Sequence, residues 1–538
     1  MKKRPSAATL ATKSKTKPKK RPAQPVEYEH LRNDAHQTMM QPGCRPMMQP
    51  GWAQAGLGPS PQHPKWAEHL VNALLNCELL PRNVSRRDCT LQVWSDCSGI
   101  NSEMLALAAI NTALANTIGA QLAVNLYCAC DLDKDCRRLA QHMYQPTHLS
   151  SDVRHRNFDQ GKFFCELCQE NIDMPQTGID LYVGTYPCSP WSRRGKRSGW
   201  DHPEIIPLFI GLQTIRYMRP ATFVLELGEL HDHSARSEIQ EKIDECLNSN
   251  GGLYMMQTIG ELSPIFSGYP IQRPRFFVLG WRVDTGTPEA MAAPSCHLLA
   301  NPLDVQQTFI GFLHLRRKTD WSRVGEYMND EEFQWWSNNP CSCSADPMTK
   351  CQVHRCKCGR CGDDGLRCTW RTLLVEYVAK AWPGGMIGSE PGKLTYLQAH
   401  EMSGAKGPEA PRLRTYINIM ALHPSARPLN DTLMVVDVSQ NPPYQGIRHD
   451  GCVPTVSTSS TPFCFQLGEF LTTYNMASLM GMQLEMINLS GFSEAWFRKK
   501  IGMCVHPASF GVSLVALLAA PLAKLWGRAS YSVDIAGV

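Results

Sequence analysis

Between residues 90 and 283 short apolar segments of strand length alternate with helix-length stretches, and no other feature restricts the possible folds as strongly. Strands are expected over 90–94, 121–129, 179–183, 222–226 and 276–283, a helix over 102–117, and further helical stretches between the later strands. A strand, a crossover helix and a second strand bring the two strands parallel, and repetition of that unit makes a sheet with helices on both faces. The expected class is therefore α/β, with a Rossmann-like, doubly wound sheet.

The flanks read differently. Residues 1–63 carry a basic run and then repeat Met-Met-Gln-Pro-Gly at 39–43 and 47–51, so a disordered basic tail is expected there. An amphipathic helix starts at Trp66 and ends near Leu80, opening the first part of the α/β domain over 64–285. Over 286–464 the alternation is lost while Pro, Gly, Ser and Cys rise, which marks an inserted smaller domain with isolated strands such as 433–438. Helical patterning returns over 471–525, so residues 465–538 are expected to complete the first domain. The longest apolar run, 512–522, is too short to span a bilayer and contains Pro521, so a core helix and no membrane partner are expected.

Charge is concentrated at one end. Nine Lys or Arg fall between residues 2 and 21, and removing them turns the net +5 of the chain into −4. A nucleic-acid surface on the folded body must then be a local basic patch. The clusters Lys2-Lys3-Arg4 and 17–21 read as a nuclear-import signal, a nucleic-acid-binding arm or a solubilising tail. No secretory leader pattern opens the chain, so a reducing compartment is expected, and in it the 22 Cys are not a disulfide framework.

Several polar groups fall at the predicted strand ends. The first strand ends in Cys97-Ser98-Gly99-Ile100-Asn101-Ser102, with a glycine at the strand-to-helix turn where a ligand can approach the backbone. The second ends in Cys130-Asp131, where a carboxylate can take the ribose hydroxyls of a nucleotide cofactor; a turn and a cap are the plain alternatives. The strand over 179–183 leads into Tyr186-Pro187-Cys188-Ser189-Pro190, a thiol held between prolines. Glu226 ends the next strand, and Arg273 and Arg275 precede the last. Taken singly, these are equally a buried structural Cys, a capping Glu and two solvated arginines.

Jointly and in this order they resemble the C5-cytosine methyltransferase family, over roughly 90–285 and 465–522. Ser98, Gly99 and Ile100 fall in its cofactor turn, Asp131 matches its ribose-binding acid, Asp152 its adenine-binding acid, and Pro187-Cys188 its nucleophile motif. Glu226 matches the acid of Glu-Asn-Val, here Glu226-Leu227-Gly228, and Arg273 and Arg275 match Gln-x-Arg-x-Arg with Ile271 in place of Gln. Leu479-Met480-Gly481-Met482 and Ile501-Gly502-Met503-Cys504-Val505 look like the last two motifs, with Ser478 and Met503 at the usual Arg and Asn. The resemblance implies an S-adenosylmethionine-dependent methyltransferase sheet, with 286–464 as its target-recognition region. It also implies a reaction on a flipped base, in which the Cys188 thiolate adds at cytosine C6 and makes C5 enamine-like. An acid assisting at N3 is expected at Glu226, and Arg273 or Arg275 at the ring carbonyl or a phosphate. Duplex DNA and a nuclear location are the expectation; structured RNA, or a regulatory DNA-binding scaffold, are the alternatives.

Within the inserted region stand Cys341, Cys343, Cys351, His354, Cys356, Cys358, Cys361 and Cys368, seven thiols and one imidazole in 28 residues. That count suits two tetrahedral Zn2+ sites, with disulfides or uncoordinated thiols as the alternative. Lys350, Arg355, Lys357, Arg360 and Arg367 are interleaved, so metal folding would display a cationic knuckle to phosphates. Trp321, Trp335, Trp336 and Trp370 nearby are candidates for base stacking or for core packing.

Overall fold

Strands with apolar residues at successive positions need cover on both faces of their sheet. The computed structural model describes residues 63, 65–76, 80, 88–187, 190–191, 199–228, 233–249, 251–285, 435–439, 452–464 and 469–525. In chain order these form α1 (Trp66–Asn76), β1 (Asp88–Asp96), α2 (Ser102–Ile118), β2 (Gln121–Cys130), α3 (Lys134–Tyr144) and β3 (His148–Ser150). There follow β4 (Lys162–Cys165), β5 (Glu170–Asp173), β6 (Leu181–Thr185), α4 (Ile206–Met218), β7 (Thr222–Glu226), α5 (His233–Asn248), β8 (Tyr254–Leu262) and β9 (Arg275–Arg282). Further along the chain come β10 (Val435–Asp437), β11 (Pro462–Cys464), β12 (Glu469–Phe470), α6 (Thr473–Leu479), α7 (Glu494–Ile501) and α8 (Pro507–Leu525).

The sheet runs β3-β2-β1-β6-β7-β9-β8, parallel from β3 to β7, with β9 antiparallel to both its neighbours. Successive side chains of its strands enter two different cores, as a two-residue period requires. Leu91, Val93, Leu181, Val183, Val224, Phe277 and Leu279 join α1, α2 and α8 on one face. Trp94, Tyr182, Phe223, Leu225, Phe276 and Val278 join α4 and α5 on the other. The expected α/β class is the observed one.

β8 is a strand that sequence patterning does not announce. It lies at the sheet edge, and only Tyr254, Ile259 and Leu262 along it are buried, so no alternation is written into it. Its connection to β9 carries only a single 3-10 turn, Pro264–Ser267, with no crossover helix, and β9 therefore returns antiparallel.

The C-terminal segments complete the same core. Val435, Val453, Val456 and Cys464 share it with Leu262, Tyr269 and Ile271, and Gly511 of α8 lies so close to the Trp66 indole that a Cβ there would stand 2.1 Å from the ring. Pro521 has no N–H for the carbonyl of Leu517 one turn back, and the Trp281 indole N–H donates to that carbonyl at 3.3 Å. No helix among the described residues is long and apolar enough to cross a membrane.

Candidate active site

The turn from β1 to α2 alternates left-handed residues: Cys97 (φ 55°), Gly99 (φ 52°) and Asn101 (φ 56°). Two of the three are not glycine, so the surrounding structure must hold them there. It does so from two neighbouring strands. Ser98 N–H donates to the Cys130 carbonyl at 3.1 Å, Gly99 N–H to Asp131 Oδ2 at 2.8 Å, and the Thr185 hydroxyl to the Cys97 carbonyl at 2.6 Å. A Cβ at Gly99 would meet nothing within 4 Å, so the space beside its backbone is open. Asn101 Oδ1 is buried with no hydrogen-bond partner, while its Nδ2 and the Ser95 hydroxyl both donate to the buried Glu103 carboxylate. Ile100 points into the core.

At the tip of β2, Asp131 accepts from Gly99 N–H through Oδ2 and from Asp133 N–H through Oδ1, each at 2.8 Å. Asp133 caps α3 through Asp135 N–H and pairs with Lys500 of α7 at 2.7 Å, which ties the C-terminal segment to this edge. Asp152, just past β3, is buried, which opposes its ionised form. The Arg154 guanidinium grips it through both oxygens and nevertheless holds its carboxyl below the usual carboxylate range.

β6 and β7 bring the next two elements together. Thr185 is the register partner of Glu226, and Tyr186 N–H donates to the Glu226 carbonyl at 3.3 Å. The chain then passes through Pro187 to Cys188, which lies outside the described residues, as do all eight Cys and His of 341–368. The Glu226 carboxylate accepts from Gly228 N–H at 2.9 Å and pairs with Arg275 Nε at 3.0 Å. Burial pushes its pKa up, and Arg275, Arg273 and the Gly228 amide offset only part of the rise.

Arg273 and Arg275, equivalent in the sequence reading, differ in the structure. Arg275 faces Glu226, whereas the buried Arg273 guanidinium donates to the carbonyls of Val456 (2.5 Å), Gly502 (3.1 Å) and Cys504 (2.7 Å). Sequence reasoning offered it to a substrate group; the structure gives it to the main chain. At the same junction a Cβ on Gly502 would stand 2.2 Å from the Ser457 carbonyl carbon. Gly502→Ala is therefore expected to cost about 1–3 kcal/mol as backbone is forced apart, read as a lower urea midpoint at unchanged slope. Of the residues that depart from the family pattern, Leu227, Ile271 and Ser478 are buried, and Met503 is exposed.

A set of buried polar groups beneath this edge went unseen in the sequence. Arg156 grips both oxygens of Asp96, the last residue of β1, and also donates to Thr214 Oγ1 of α4 at 2.7 Å. Trp94 Nε1 and the Tyr182 hydroxyl donate to the same carboxylate, and Tyr182 in turn meets the Tyr186 hydroxyl at 2.7 Å. The Tyr186 ring fills a slot made by Gly184 and Gly211; a Cβ on Gly211 would stand 1.6 Å from its hydroxyl. Two residues before Cys188 the chain is thus anchored to the core. The Tyr182-x3-Tyr186 spacing is the only local trace of it.

Residues 98–335 match the family model described as C-5 cytosine-specific DNA methylase. The chain carries a domain of the C-5 cytosine-specific DNA methylase family. Solved structures similar to the chain include the Dnmt2 methyltransferase of S. pombe (16% identity, 80% of this chain and 98% of that one, TM-score 0.40). Others are a putative DNA modification methyltransferase of an E. coli prophage (14%, 79% and 98%, 0.41) and the Entamoeba histolytica methyltransferase EhMeth (11%, 80% and 98%, 0.37). No curated protein matches the sequence significantly.

The methylase domain makes the chain an S-adenosylmethionine-dependent methyltransferase. Its residues fit that donor. The Gly99 turn leaves room against the backbone, and the buried Asn101 Oδ1 beside it is an acceptor without a donor. Asp131 has used one lone pair on each oxygen and keeps acceptor capacity for hydroxyl groups. The sheet's parallel strand tips are where α/β folds bind nucleotide-like ligands.

Proposed function

We propose that the methylase domain methylates C5 of cytosine in duplex DNA through a covalent adduct between Cys188 and C6 of a flipped base. The observation that carries the reading is the β6–β7 register, which brings the chain segment ending at Pro187 beside the Glu226–Arg275 pair. S-adenosylmethionine, when bound, supplies an electrophilic methyl group. The Cys188 thiolate adds to C6 as Glu226 delivers a proton to N3, so C5 becomes enamine-like and able to attack. C5 takes the methyl group as its bond to sulfur breaks and the neutral thioether departs; loss of the C5 proton to solvent or a base then expels the thiolate, and the N3 proton returns to Glu226. Arg275 orients Glu226, Arg273 positions the C-terminal segments, and Asp131 and Asp152 serve the ribose and adenine of the donor. In this reading Cys341 to Cys368 with His354 hold two structural Zn2+ within the target-recognition region. Residues 2–21 act as a nuclear-import signal.

The test incubates the protein with S-adenosylmethionine and a duplex containing 5-fluorocytosine, whose fluorine blocks the final elimination. A denaturation-resistant complex whose cross-linked peptide contains Cys188 is expected. A complex formed only with 5-fluorocytosine RNA replaces DNA by RNA as the substrate. Absence of a complex with either, while an active cytosine methyltransferase forms one in parallel, overturns the reading.

A further inference from the structure

We infer that His148, Cys165 and Cys168 form a site for a zinc-class divalent cation at the β3 edge of the sheet. Cys165 ends β4 and Cys168 lies in the turn to β5, so the Cys-x2-Cys pair spans a β-hairpin turn. Gln169, left-handed at φ 59°, closes that turn by donating its N–H to the Cys165 carbonyl at 2.9 Å. Cys168 N–H points at Cys165 Sγ at 3.5 Å, a donor aimed at the charge a bound thiolate carries. His148, the first residue of β3, is wedged by ring contacts with Tyr127 and Phe163. Its Nδ1 lies 3.7 Å from Cys168 Sγ.

Ligand atoms from all three residues lie within 4.8 Å of one another, and neither cysteine is in a disulfide. Zn–S near 2.3 Å and Zn–N near 2.0–2.1 Å at tetrahedral angles separate sulfur and nitrogen by about 3.6 Å, close to the spacing seen. Cys165 is buried and Cys168 exposed, so a fourth, solvent ligand has access. The ion would lock the β4–β5 hairpin onto β3, reinforcing the Glu166 N–H bond to the Leu149 carbonyl at 2.7 Å. β3 leads directly into Asp152, so the clip braces the wall that the donor site uses. The inference is independent of Cys188 and of the 341–368 segment.

Full-length protein handled under reducing conditions, saturated with Zn2+ and then dialysed, is compared with Cys168→Ser by metal analysis. The variant is expected to hold about one Zn2+ per chain fewer. With Cd2+ loaded instead, cadmium NMR is expected to lose one resonance and keep any others. Because Cys168 is exposed, an unchanged far-ultraviolet circular dichroism spectrum accompanies the loss; His148→Ala repeats it from the imidazole side. Equal metal content in wild type and both variants, or a Cys165–Cys168 disulfide in the reduced-handled wild type, overturns the site.

Discussion

Arg156→Met is expected to lower the unfolding free energy by about 3–5 kcal/mol, because it leaves the Asp96 carboxylate buried without its cation. Both side chains are almost wholly excluded from water, at 1% and 0% exposure, so solvent cannot take over the lost partner. Trp94 Nε1 and the Tyr182 hydroxyl still donate to Asp96, but two neutral donors do not compensate a buried charge. The double variant Asp96→Asn, Arg156→Met removes the charge together with its partner and is expected to recover much of the loss. Denaturant midpoints of the three proteins decide it: a single variant as stable as wild type would show that the pair contributes nothing. A catalytic effect follows from the same contacts. Tyr182 and Tyr186 hang from Asp96, and a misplacement of about 1 Å at a reacting group costs about 10²-fold in rate. At a denaturant concentration where Arg156→Met is still folded, its turnover is therefore expected to be depressed.

Glu226→Gln is expected to reduce turnover about 10²–10⁴-fold with little change in donor affinity, the usual worth of a positioned general acid. The pH dependence identifies the role. Burial raises the Glu226 pKa, so the protonated, donating form is complete below the raised value and is lost as pH rises through it. A descending limb in single-turnover rate against pH is expected in the wild type, and its disappearance in Glu226→Gln. The same shift has a stability sign: the protonated carboxyl favours the folded state at low pH, and that contribution fades as pH rises through the folded-state pKa. A descending limb that persists in Glu226→Gln would assign the acid elsewhere.

Much of the fold is legible locally because a strand covered on both faces carries apolar residues at successive positions, as 223–225 does, while an edge strand such as β8 carries no comparable signal. The candidate site was legible as a set of motifs, since Gly99, Asp131, Glu226 and Arg275 all fall at the ends of recognisable segments. The separate tasks of Arg273 and Arg275 were not, because they depend on carbonyls near residues 456, 502 and 504.

By itself the sequence determined the segments that form β1, β2, β6, β7 and β9, that the parallel sheet needs cover on both faces, and the order in which the reactive groups occur. Those properties follow from hydrophobic period and residue chemistry, which are local. The tertiary structure alone decided that Thr185 lies against Glu226, that Arg156 is buried on Asp96 sixty residues away, that β9 runs antiparallel, and that His148 meets a Cys-x2-Cys turn. Such pairings are chosen when distant segments pack, desolvating some polar groups and leaving others at the surface, and no local window records that choice.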